Sequence, residues 1–145
     1  MTRYMNVDLD VYGDTPLDGL VQEWSDSVIV LLVGGSRKKY EAHVALASSV
    51  MDGGSVDETI VGLTRLVRNL PRVHRKTWNS ATRREFNIGI EAGLTPPAFE
   101  LPLQERTLKA VIDVGGVVVV TVYAPDRRKM TRPLKRRPGK DSYDR

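Results

Sequence analysis

The chain has 145 residues, 41% of them hydrophobic and 28% charged, a length and balance that suit one globular domain with at most a tail. It has no cysteine and only two histidines, His43 and His74. That excludes a disulfide scaffold, a thiol nucleophile, an iron–sulfur centre and a cysteine-type zinc site, and no metal or cofactor is expected. The opening MTRYMNVDLD is polar, and no apolar run approaches ~20 residues. Neither a secretory leader nor a membrane span is therefore expected, and the cytoplasm is the default location.

The net charge of +4 is unevenly spread. Residues 1–64 hold four basic and ten acidic side chains, and residues 65–84 hold seven basic and no acidic ones. Residues 85–125 hold two basic and five acidic, and residues 126–145 hold nine Lys/Arg and three Asp. The basic character thus lies in one internal segment and one tail, and is not a property of the whole domain.

Val7, Leu9 and Val11 alternate with Asp8 and Asp10, the period of a strand with one wet face. Asp14-Thr15-Pro16 reads as a helix start, and Leu17, Leu20, Val21 and Trp24 follow as one apolar stripe. Val28 to Val33 is an unbroken β-branched and aliphatic run, predicted as an interior strand. Gly34-Gly35-Ser36 is predicted as the turn of a hairpin. Its second arm is the alternation Tyr40, Ala42, Val44, Leu46.

Met51 to Gly54 reads as a loop. Ser55 and Glu58 form a capping box ahead of Val56, Ile60, Leu63, Val67 and Leu70 at helical spacing, with Pro71 as the stop. Residues 72–84 allow a turn or two of helix without a clear pattern. Phe86, Ile88 and Ile90 resume a strand, and Gly93 to Pro97 break it. Leu103, Leu108, Val111 and Ile112 suit a helix closed by Gly115-Gly116, and Val117 to Tyr123 form a last strand before Pro125.

The order β-α-β-β-α-β followed by α-β predicts an α+β fold: a ferredoxin-like core with an added α-β unit and a mainly antiparallel sheet. One α+β domain is expected over 1–125. A basic, flexible tail is expected over 126–145, which holds few apolar side chains and nine bases.

Four groups of residues bear on chemistry. The loop Gly34-Gly35-Ser36-Arg37-Lys38-Lys39 combines glycines with bases but lacks phosphate-loop spacing, so a plain turn is the better reading. His43 and His74 sit in no nucleophile or metal motif. Glu85, Asn87 and Glu91 share a strand face next to Arg83 and Arg84, which suits either an acid/base pair or a polar sheet surface. The most prominent group is the basic connector: Arg72, Arg75, Lys76, Arg83 and Arg84 around Trp78. An exposed aromatic among cations can anchor a protein partner or stack a nucleobase, while the bland alternative buries Trp78 in the core. The tail adds Arg127, Arg128, Lys129, Lys135, Arg136 and Arg137, which can contact nucleic acid or an acidic surface.

From Ile60 to Tyr123 the chain runs as a helix, a basic connector with Trp78, the segment Arg83-Arg84-Glu85-Phe86-Asn87-Ile88-Gly89-Ile90-Glu91-Ala92-Gly93, and a helix leading into the Val117–Tyr123 strand. This stretch, under half of the chain, resembles small uncharacterised bacterial α+β domains, some of which are regarded as candidate toxin-immunity proteins. The likeness rests on element order and on Trp78, Phe86, Gly89 and Tyr123. It implies no catalytic residues, and the tail is no part of it. The resulting expectation is a non-enzymatic, immunity-type protein that neutralises a bacterial toxin by direct binding. The alternative is a nucleic-acid-binding accessory protein using the connector and tail; a small enzyme built on Glu85, Glu91 or His43 is the third reading.

Overall fold

In the computed structural model, which describes residues 1–125, the first strand occupies the middle of the sheet. β1 (Arg3–Gly13) leads through α1 (Asp18–Glu23) to the hairpin β2 (Val28–Ser36) and β3 (Lys39–Leu46). Three helices follow: α2 (Ala47–Asp52), α3 (Val56–Arg68) and α4 (Arg72–Ser80). The chain then makes β4 (Arg83–Glu91), α5 (Glu105–Asp113) and β5 (Val117–Tyr123). The strand order is β2-β3-β1-β4-β5. All neighbours are antiparallel except β4 and β5, which run parallel through the α5 crossover, so this is an α+β fold with a mixed five-stranded sheet.

The alternation in β1 does what its period requires. Val7, Leu9 and Val11 are fully buried under the helices, with Ala42 and Val44 of β3 and Phe86 and Ile88 of β4 beside them. Ile60, Leu63 and Val67 of α3, Leu20 and Val21 of α1, and Val111 of α5 close this core. Ser55 caps α3 as its sequence requires, accepting from the Glu58 amide at 3.1 Å. Asp57, in the first turn of α3, accepts from the Gln104 amide (3.0 Å) and the Thr107 hydroxyl (2.5 Å). It therefore holds the start of α5 against the start of α3.

Several expectations need correcting. β2 is not interior. It is one of the two edge strands of the sheet, with β5 at the other side, and Ile29, Val30, Leu31 and Leu32 are between 36% and 54% exposed. An apolar run is compatible with burial on both faces but does not require it, because the position of a strand in the sheet is decided by its neighbours. The hairpin turn is Arg37-Lys38, both with positive φ (54° and 63°), between the paired Ser36 and Lys39. Gly34 and Gly35 lie within β2. Gly35 is required there, since a side chain at its φ of +131° would collide with the Lys39 carbonyl. Helix α1 starts at Asp18 without a side-chain cap, not at Asp14-Thr15-Pro16. The expected tail lies outside the described residues.

Candidate functional site

Helix α4 turns the basic connector into two unlike faces. At 100° per residue, Arg72, Val73, Arg75, Lys76, Asn79 and Ser80 share the outward side and line one open depression. His74, Thr77 and Trp78 turn inward, and Trp78 is 1% exposed. Its indole N–H donates to the Val114 carbonyl at 2.9 Å, and its ring meets the edge of Trp24 at 6.2 Å. Trp78 is thus a core residue that ties α4 to α1 and to the end of α5, and it is not a surface anchor. The physical reason is position: the only large apolar side chain on the inner arc of α4 fills the gap between those helices.

Arg84 also leaves the proposed surface. Its Nε donates to the Gly115 carbonyl (2.9 Å), and its Nη1 donates to the carbonyls of Trp78 and Ala81 (both 3.1 Å). A guanidinium at the C-terminal end of α4 neutralises carbonyls that the helix itself leaves open. Arg75 does similar work while its side chain stays exposed, donating to the carbonyls of Arg68 and Val67 at the end of α3. Arg72 and Lys76, with Val73 beside them at 68% exposure, have no carboxylate partner among the described residues. Arg83 points to the opposite side of the molecule, where it pairs with Glu85 and lies 5.9 Å from the Tyr12 ring centroid. Arg127, Arg128, Lys129, Lys135, Arg136 and Arg137 lie outside the described residues.

The sheet face turned away from the helices carries a second cluster. Asp10 stands in register with His43 of β3 on one side and Glu85 of β4 on the other, and both carboxylates are only 5% exposed. A polar row crosses the sheet. The Thr121 hydroxyl donates to Asn87 Oδ1 (2.7 Å), Asn87 Nδ2 donates to Asp10 Oδ2 (3.3 Å), and His43 Nδ1 lies 2.9 Å from Asp10 Oδ1. His43 Nε2 lies 3.4 Å from Glu41 Oε2, so both ring nitrogens face a carboxylate.

Asp10 Oδ1 lies beside His43 Nδ1 and Glu85 Oε1 beside the Arg83 guanidinium, yet neither oxygen accepts a well-aligned hydrogen bond. Burial, and then the neighbouring Asp10 charge, raises the Asp8 carboxyl above its ordinary range, while His43 and Asn6 partly offset the shift. Burial also raises the Tyr12 phenol, with Asp10, Glu85 and Glu41 adding to it.

Of the two readings of the Glu85–Asn87–Glu91 face, the acid/base pair between Glu85 and Glu91 is not made: they are six positions apart on one strand, roughly 20 Å, and Glu91 pairs with Arg3 at 3.2 Å. The sheet instead brings Asp10 to Glu85, a juxtaposition no single-segment motif can show because the partners come from different strands. His74 lies against α1, 3.5 Å from Glu23. Lys38 and Lys39 line a concavity of about 520 Å³ with Tyr12, Tyr40, Asp14 and Glu41, a mixed-charge lining that does not single out phosphate. No group of three or more His, Asp or Glu side chains among the described residues is arranged to hold a metal ion. No helix among them is long and apolar enough to cross a membrane. Comparison with protein-family models, with curated proteins and with solved structures returned no match to the chain.

Proposed function

We propose that this chain is a non-enzymatic cytosolic binding protein of the immunity type, which neutralises a bacterial toxin by covering part of its surface. The observation that carries the reading is the outward face of α4. Arg72, Arg75 and Lys76 project there around the exposed Val73, on a helix whose other side is anchored in the core by Trp78. A rigidly held face of cations around an apolar centre suits an acidic protein surface: the charges steer encounter and the apolar contact excludes water. The contact set is accordingly Arg72, Arg75 and Lys76. The pairings of β1 to β4 support reading the scaffold as a ferredoxin-like plait with α5 and β5 appended.

Co-expression with a toxin encoded beside this chain tests the proposal. The wild-type chain should restore growth and co-purify with the toxin. The double variant Arg72→Glu/Lys76→Glu should do neither, while its Tm stays within a few degrees, as expected for exposed positions. Protection that survives the double reversal would overturn this surface. Steep salt-dependent RNA or DNA binding by the full chain, lost in the same variant, would replace the toxin with nucleic acid as the partner.

A further inference from the structure

Natural sheets protect their free edges with charges, proline, inward-pointing lysines or bulges, because unpaired N–H and C=O groups recruit other strands. β2 carries only the last of these. Val28–Ser36 has no charged residue and no proline, and Ile29, Val30, Leu31 and Leu32 are 36%, 43%, 54% and 47% exposed. A bulge at Leu31 shifts the register with β3, but the run from Leu32 to Ser36 is regular beyond it. Helix α2, which packs beside β2, extends the apolar strip with Val50 and Met51, 50% and 79% exposed.

The ends of this strand identify its occupant. Asp26 precedes β2, Arg37 and Lys38 follow it, all three are exposed, and none has an ion-pair partner among the described residues. A strand that is acidic before, uncharged along its length and basic after is complementary to itself in one orientation only: antiparallel. Centred on Leu32, that pairing sets Asp26 of one copy opposite Lys38 of the other, and Ser27 opposite Arg37. Such an arrangement is isologous and closes at two copies, with no edge left to propagate a fibre at this strand. We propose that β2 is a homodimerisation edge, along which two copies pair antiparallel about a two-fold axis so that one sheet runs through both. Neither the face of α4 nor the nature of any toxin enters this inference.

Sedimentation velocity of the full chain at increasing micromolar concentrations should show a monomer–dimer equilibrium. Leu32→Lys places two like charges at the dyad and should raise the dimer dissociation constant roughly tenfold or more, with far-UV circular dichroism unchanged. Asp26→Lys and Arg37→Glu/Lys38→Glu should each weaken the dimer, and their combination should restore it. That rescue is specific to antiparallel ends and does not arise from misfolding. Because the chain has no cysteine, Leu32→Cys should form a covalent dimer on mild oxidation, whereas Lys109→Cys on α5 should not. A monomer at every concentration overturns the proposal. So does a dimer indifferent to Leu32→Lys and to the charge swap, or a Leu32→Cys chain that cross-links no faster than the α5 control.

Discussion

Replacing Trp78 separates a core residue from a contact residue. In Trp78→Phe a phenyl ring takes the place of the pyrrole ring next to Cβ, and the outer benzo ring and the indole N–H are lost, so the Val114 carbonyl, now 2.9 Å from its donor, loses its partner. One such hydrogen bond is worth about 1 kcal/mol. The void left by the missing benzo ring, in a side chain that packs against Trp24 and the Arg84 guanidinium, adds roughly 1 kcal/mol more. The expected loss is about 2 kcal/mol. With a urea m-value of about 2 kcal/mol/M, the unfolding midpoint should fall by about 1 M. Trp78→Ala should cost about 3–5 kcal/mol, a large part of the ~5–15 kcal/mol that holds a domain of this kind together. Urea titrations followed by circular dichroism measure both. A Phe variant within about 0.3 kcal/mol of wild type, or an Ala variant that folds as well as wild type, would show that Trp78 carries no packing load and would refute the assignment.

Arg84→Lys should lower stability by about 1–3 kcal/mol, measured by thermal melts, because an ammonium cannot reach the Gly115, Trp78 and Ala81 carbonyls together. Asp8→Asn should raise the Tm at pH 7. The folded state raises the Asp8 carboxyl through burial and the Asp10 charge, so its ionised form is disfavoured on folding. That penalty is absent below the ordinary carboxylate range, grows as the pH rises through the folded value and persists above it. The gain from Asp8→Asn should therefore vanish in acid, and a Tm difference that is constant across pH would contradict this account.

Elements whose side chains alternate or repeat cleanly are legible in the sequence. β1, β3, β4 and α3 show their buried faces at periods of 2 and 3.6, and Ser55 announces the start of α3. Helix α4 is not legible, because its inward arc is His74, Thr77 and Trp78 and its outward arc mixes Val73 with cations. That pattern reads as a decorated loop until the neighbours of Trp78 are in place. The same confusion made Trp78 and Arg84 look like surface residues. α2 hides for another reason: it has no buried residue to mark a face. The Asp10–Glu85–His43 cluster depends on register between β1, β3 and β4. Individual residues such as Glu85 and His43 can be singled out in advance, but their meeting point cannot.

The central place of β1 also governs when the chain can fold. It is synthesised before the other strands of this sheet, yet Arg3 pairs with Glu91, 88 positions later. Closing a span of that length costs about 2 kcal/mol more entropy than closing a ten-residue loop, and a sheet organised around such a contact forms more slowly than one built from hairpins alone. Until β4 has been synthesised, β1 can be paired on one side only, by β3, with Val7, Leu9 and Val11 under an incomplete helical layer. The β2–β3 hairpin and α3 can form early from local contacts, but the core waits for residues 83–91. Truncation before that point should leave a chain with an open central strand, prone to aggregate rather than to settle as a smaller domain.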